Sequence, residues 1–245
     1  ADMPIPLAAL NAIQDTRWAV NNRVLHLLEE LLQRNSEIAG VPPVELYEIP
    51  KKPEDIATNE QARKDYRLAA RAVHEANVAM MGRRLSYVHT VTTARKYSEY
   101  EAIYMPHNCD FRGRVYPLCA LNPQGQDSTK ALLHFADAVP LGEFGLSYLQ
   151  IHVANLFGID KVSFSDRQQW VEDNFKMLEA IARNPFANRQ WCDADKPFQA
   201  YAAVMEVVDA MNMENPADYL SRIPVAMDGS CSGIQNLSLA FRDEE

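Results

Sequence analysis

Between Asn59 and Tyr97 the chain has no proline and a single glycine, Gly82. A run of that length with no helix breaker, rich in Ala, Arg and Met, predicts one helix of about 40 residues. Asn59 is a suitable N-cap, with Glu60 just behind it. The segment Ala39–Asp55 holds Gly40, Pro42, Pro43, Pro50 and Pro53 and cannot continue a helix. Before that break, Leu10, Ile13, Trp18, Val24, Leu27, Leu28 and Leu31 fall at mixed spacings of 3 and 4, which predicts helix from Leu7 to about Ser36. Two long helices joined by an irregular loop make an antiparallel hairpin that projects from a main body.

The character changes after residue 102. In 103–121, aromatic and β-branched residues alternate with polar ones around Gly113, which predicts two short strands and a turn or bulge. Asn122–Gly125 reads as a turn. Ser128 or Thr129 is expected to cap a short helix through Phe135. Helices are expected at 142–157, at 165–183 (with a Ser165/Gln168 capping box) and at 197–212. Pro224–Met227 reads as a short strand, and Ile234–Phe241 as the opening of a further helix. The pattern is an α+β fold, predominantly helical, with short antiparallel strands. It has no internal repeats. The chain stops just after that last helix begins, which reads as one segment of something longer.

With 47% hydrophobic and 23% charged residues, 9 Gly and 14 Pro in 245 residues, the composition is that of a globular protein. No apolar run reaches the roughly 18–20 residues of a membrane span, so no membrane partner is expected. The start carries no signal-peptide pattern. Four cysteines, none in a C-x-x-C pair, argue against a thiolate zinc site and for a reducing, intracellular setting. The net charge of −9 argues against nucleic acid, but its distribution does not. Residues 1–134 balance 16 Lys/Arg against 16 Asp/Glu, 60–135 carry 11 against 7, and 135–245 carry 8 against 17. Phosphate binding depends on local basic groups rather than the whole-chain sum.

Three local patterns could carry chemistry. In V-A-M-D-G-S-C-S-G-I-Q (225–235), Asp228 ends an apolar strand and is followed by small residues, an arrangement suited to holding a hard cation such as Mg²⁺. An Asp that merely caps the next turn is the commoner fate of such a sequence. The same letters match a G-x-nucleophile-x-G elbow with Cys231 as nucleophile, which would make a hydrolase. No histidine follows Cys231, so that elbow lacks its base within this chain. The six histidines (26, 74, 89, 107, 134, 152) show no metal-ligand spacing and are expected to be surface or satisfied core residues. In Asp110-Phe-Arg-Gly-Arg-Val-Tyr116, the i, i+2 spacing puts Arg112 and Arg114 on one face of a strand, suited to phosphate; ion pairing with Asp110 is an even alternative. Arg83-Arg84, after Arg63, Lys64, Arg67 and Arg71, extends a basic helix stripe. Lys130 stands alone near a helix start. A non-catalytic helical interaction domain, with Asp228 purely structural, is the third reading.

Taken together, the long helix with Arg83-Arg84, D-F-R-G-R-V-Y, N-P-Q-G-x-D-S-T-K at 122–130, A-R-N-P-F at 182–186 and D-G-S-C-S-G-I-Q resemble the single-subunit, bacteriophage-T7-type DNA-directed RNA polymerases, relatives of the mitochondrial RNA polymerases. The resemblance spans essentially all 245 residues, and N-P-Q-G-x-D looks more like the phage branch. It implies thumb over 1–100 and the N-terminal portion of the palm over 101–245. It further implies Asp228 as the first catalytic, metal-binding aspartate, assisted by the Gly229 carbonyl in a two-metal Mg²⁺ site. Arg112 and Arg114 would hold template and hybrid, Tyr116 and Lys130 would lie near the nascent strand or incoming nucleotide, and Arg83 and Arg84 would grip the hybrid backbone. The implied partners are a DNA template, an RNA–DNA hybrid, NTPs and the remainder of a polymerase chain, in a bacterial host cytoplasm rather than a mitochondrion. The family's promoter-binding domain, fingers and later His-Asp-Ser motif with the second catalytic aspartate are missing from these residues. One aspartate cannot fix two metal ions, so no polymerisation by this chain alone is expected.

Overall fold

The computed structural model describes residues 4–225 and 233–241. The proline-free run is a single helix, α3 (Glu60–Tyr97), and Asn59 caps it by accepting from the N–H groups of Gln61 and Ala62, each at 3.1 Å. At 1.5 Å per residue, 38 residues extend about 57 Å. The proline-rich segment before it is laid along the helix. Asn77 accepts from the Tyr47 N–H at 2.8 Å and donates to the Tyr47 carbonyl at 3.0 Å, and Arg84 donates to the Pro42 carbonyl at 2.8 Å.

The helix expected over 7–36 is instead three elements. They are α1 (Pro4–Gln14), the strand β1 (Trp18–Val20) and α2 (Asn22–Gln33). Trp18, Ala19 and Val20 leave the helical pattern because both edges of β1 find partners. One edge pairs antiparallel with β4 (Leu133–Phe135), and on the other Trp18 and Ile103 exchange N–H···O=C bonds of 3.0 and 2.7 Å. Asn21 then caps α2, whose Val24, Leu25, Leu27, Leu28 and Leu31 are buried. The pair of long helices is therefore one long helix and one 12-residue core helix, tied by the Arg95–Glu29 ion pair.

The two strands expected in 103–121 are present as β2 (His107–Cys109) and β3 (Val115–Pro117), antiparallel, with Gly113 at φ +78° in the connecting turn. The helix expected through Phe135 ends at Ala131, as α4 (Asp127–Ala131), because 133–135 are taken up by pairing with β1. Ser128 and Thr129 are buried and do not cap it. Asp127 instead crosses over and caps α8 (Pro197–Met211), accepting from the Phe198 and Gln199 N–H groups at 2.8 and 3.2 Å. That helix has no capping side chain of its own, and such a cap is worth about 1 kcal/mol.

α8, whose polar residues are Gln199, Glu206 and Asp209, buries nine residues and is the centre of the core. Around it pack α5 (Gly142–Leu156) and α7 (Phe175–Arg183), and α6 (Phe164–Asp173) packs on α5. The single helix expected over 165–183 breaks at Asn174, and its start is set by Ser163, not Ser165: the Ser163 hydroxyl accepts from the Asp166 N–H at 3.2 Å. β5 (Val139–Pro140) pairs antiparallel with β6 (Leu220–Ser221). Of the strand expected over 224–227, Pro224 and Val225 are irregular and the rest lies outside the described residues. The last helix is present as α9 (Gly233–Phe241). No helix among the described residues is long and apolar enough to cross a membrane.

Candidate functional site

The β2–β3 hairpin is organised by one carboxylate. Asp110 Oδ1 accepts from the backbone N–H of Arg112 at 2.9 Å and of Arg114 at 3.0 Å. Its Oδ2 accepts from Arg112 Nε at 2.9 Å and Nη2 at 2.7 Å. Arg112 Nη2 also donates to the Tyr116 hydroxyl at 3.1 Å. Arg112 hydrogen-bonding, aided by the two backbone N–H groups and the Arg114 charge, holds the Asp110 carboxyl below the ordinary carboxylate range. The expected shared strand face is not formed: Arg112 and Arg114 lie in the connection between β2 and β3. The alternative of an Asp110 ion pair holds for Arg112, while the Arg114 side chain is exposed and makes no bond to a described residue. Tyr116 is exposed, and Phe111 beside them is 97% exposed. Phe111 was not singled out from the sequence, although an aromatic at a turn directly before Arg-Gly-Arg was its available signal.

Arg83 and Arg84 both lie on α3 but do different things. Arg84 is half-buried and donates to Asn35 Oδ1 at 3.1 Å as well as to the Pro42 carbonyl, so it fastens the segment that precedes the helix. Arg83 is exposed and unbonded among the described residues.

Lys130, on α4, is half-buried and lines a cavity of about 230 Å³. The cavity also reaches Pro224 and Val225, three residues short of Asp228. Asp228, Gly229 and Cys231 themselves lie outside the described residues. The chain that leads to them is held firmly. Glu206 on α8 accepts from the Ser221 hydroxyl at 2.5 Å and from the Arg222 N–H at 3.4 Å, and the Arg222 carbonyl accepts from Phe135 N–H at 2.9 Å. Burial raises the Glu206 carboxyl above its ordinary value, against the pull of those donors and of Arg23. Among the described residues no group of three His, Cys, Asp or Glu could hold a metal ion, so these residues do not by themselves fit a two-metal site.

The histidines divide. His26, His74 and His89 are exposed, and His107 is satisfied through Nδ1 and the Met105 carbonyl at 2.7 Å. His152 is neither surface nor satisfied: it is 8% exposed and makes no hydrogen bond to a described residue. Burial lowers its pKa to about 4, and burial with the Arg222 charge does the same for His134.

Comparison with known proteins gives a consistent result. A family model described as DNA-dependent RNA polymerase matches residues 139–245. The chain is 39% identical over 243 residues to the DNA-directed RNA polymerase of Enterobacteria phage T3, covering 99% of this chain and 27% of that protein. It is 38% identical over 243 residues to the T7 RNA polymerase of Escherichia phage T7, with the same coverage of each. A mitochondrial DNA-directed RNA polymerase of Neurospora crassa is 30% identical over 239 residues, 96% of this chain and 17% of that one. The chain thus spans about a quarter of the length of the phage relatives it matches.

Proposed function

Because this chain belongs to the single-subunit, T7-like family of DNA-directed RNA polymerases, we propose that it supplies thumb (1–100) and the N-terminal part of the palm (101–245) to template-directed RNA synthesis. The reaction of such an enzyme is attack of an RNA 3′-hydroxyl on the α-phosphate of an NTP, with pyrophosphate leaving. In this reading Arg112, Arg114 and Phe111 meet template and hybrid, Arg83 faces the hybrid backbone while Arg84 anchors the helix that carries it, and Tyr116 and Lys130 lie toward the nascent strand. Asp228, with the Gly229 carbonyl, is the sequence's candidate for holding Mg²⁺. A bound Mg²⁺ would polarise phosphoryl oxygens and neutralise developing charge. The chain's own contribution is positioning: guanidinium groups fix phosphates by paired N–H donors, and Glu206 fixes the strand that runs on toward Asp228. The proposed setting is the cytoplasm of a phage-infected bacterium.

The observation that supports this reading best is the hairpin. One carboxylate spends four hydrogen bonds to hold two neighbouring arginines and an exposed aromatic at a turn. Preorganised cations beside a stacking surface are what a nucleic-acid backbone and its bases require. The test titrates the 245-residue chain and its Asp228→Asn variant with an RNA–DNA hybrid, with Mn²⁺ and with NTPs. Both proteins should bind hybrid, with an affinity that falls as salt rises. Mn²⁺ binding, read by electron paramagnetic resonance, should be weak in the parent chain and absent in Asp228→Asn, and neither should incorporate NTPs. Hybrid binding insensitive to salt, or Mn²⁺ binding indifferent to Asp228, would overturn the assignment.

A further inference from the structure

The cavity beside Lys130 lies where β1, α4, β4, α5, the start of α8 and residues 223–225 converge. Much of its wall is apolar, from Trp18, Leu133, Phe135 and Val225. Trp18 and Phe135 are stacked, with ring centroids 4.8 Å apart. Several polar groups on the wall can donate and have no acceptor among the described residues. Among the described residues His152 is more than nine-tenths buried and unbonded, yet no fully buried side-chain nitrogen or oxygen of those residues lacks a partner. Its ring nitrogens are therefore not fully enclosed, and His152 lines the cavity. His134 is likewise unbonded there, and being neutral each imidazole offers one N–H. Asn21 has its oxygen committed to the cap of α2, which leaves its NH₂. Lys130 is the one charged side chain on the described wall, and it has no carboxylate partner among the described residues. The acceptors left over are the Gln199 carbonyl, its NH₂ being bonded to Asp127, and the bare ring nitrogen of each imidazole.

We propose that this cavity is a binding site for a small aromatic carboxylate. The ring would lie on the Trp18–Phe135 wall, and the carboxylate would accept from the Lys130 ammonium and the imidazole N–H groups of His134 and His152. A carboxylate is selected over a neutral molecule because a half-buried ammonium has no carboxylate partner among the described residues, and over a cation because that ammonium is the one charge on the described wall. A single ring is selected because the space is about 230 Å³, smaller than the roughly 300–1,000 Å³ typical of drug-sized ligands. The two imidazoles contribute as neutral donors, so the site needs no protonation near pH 7. The proposal shares Lys130 with the polymerase reading but uses neither Asp228 nor the arginines, so benzoate binding and hybrid binding can fail independently.

The test adds benzoate to the full 245-residue chain and follows the histidine ring signals by NMR. Saturable shifts are expected at His134 and His152, and none at the exposed His26, His74 and His89. Benzamide, the uncharged isostere, should bind about ten-fold more weakly, and Lys130→Met should erase that difference. His152→Leu should cost benzoate about ten-fold in affinity while keeping the cavity's volume and fold. The absence of a saturable shift, equal shifts at all six histidines, or unchanged affinity in either variant would overturn the proposal.

Discussion

The two arginine pairs, Arg83-Arg84 on a helix and Arg112-Arg114 in a hairpin, are alike in sequence and alike in how the fold divides them. In each, one guanidinium is tied to the chain itself: Arg84 to the Pro42 carbonyl, Arg112 to the Asp110 carboxylate. In each, the other is left to solvent and to whatever binds. A basic doublet in a sequence is therefore not two equivalent phosphate contacts. The tied member fixes the scaffold, and the free member carries the charge that a ligand meets. The free pair should show the largest effect. Arg83→Ala with Arg114→Ala should lower hybrid affinity by about ten-fold or more at low salt and flatten the log K against log salt slope by about 1.5–2, leaving Tm unchanged. A double variant that loses Tm but keeps its slope would break the division.

The tied members should behave in the opposite way. Arg84→Ala removes two hydrogen bonds that anchor 35–42 to α3, an expected loss of about 1 kcal/mol, or about 2–4 °C in Tm for a chain of this size. Its hybrid affinity should change by less than about three-fold. Arg112→Ala should fall between the two, because Asp110 still accepts both backbone N–H groups and the turn persists. A thermal melt beside an anisotropy titration separates these outcomes. A larger affinity loss for Arg84→Ala than for Arg83→Ala would reverse the assignment within that pair.

The same contrast explains what could be read from the sequence. Local signals were sufficient for α3, where a capping Asn59 and an unbroken run decide the outcome, and for the β2–β3 hairpin, where Gly113 marks the turn. They failed wherever a distant partner decides. Trp18-Ala-Val20 continues a helical pattern and becomes a strand only because 133–135 and Ile103 lie alongside. Ser128 has the chemistry of a cap but is buried, while Asp127 caps a helix some 70 positions away. The D-x-x-G-R letters identify the hairpin arginines, but only geometry shows that Asp110 immobilises one and frees the other. His152 gave no signal at all: an isolated histidine in an apolar helix is distinguished only by its lack of a partner. Family membership displaces the Cys231 hydrolase reading, since the relatives that cover this chain are polymerases.

The smallest expected effect is that of pH on the hairpin. The Asp110 carboxyl is held below its ordinary value chiefly by Arg112 and further by backbone N–H groups. A depressed carboxylate pKa contributes organisation that is fully present above the unfolded value near 4 and is lost as pH falls through the lower, folded value. The cavity imidazoles of His134 and His152 are neutral down to about 4, and the donors that order the turn all converge on Asp110. The Arg112 Nε–H and Gly113 amide signals should therefore hold constant from pH 8 to about 5 and move only below about 4. Global stability should start to fall earlier, from about pH 6.5, because unfolded His134 and His152 take up protons that the folded chain refuses. Asp110→Asn should shift both hairpin signals at every pH and remove their acid transition. If they instead move together with the loss of global stability that starts near pH 6.5, the hairpin has no carboxylate of its own holding it, and Arg114 is no freer than Arg112.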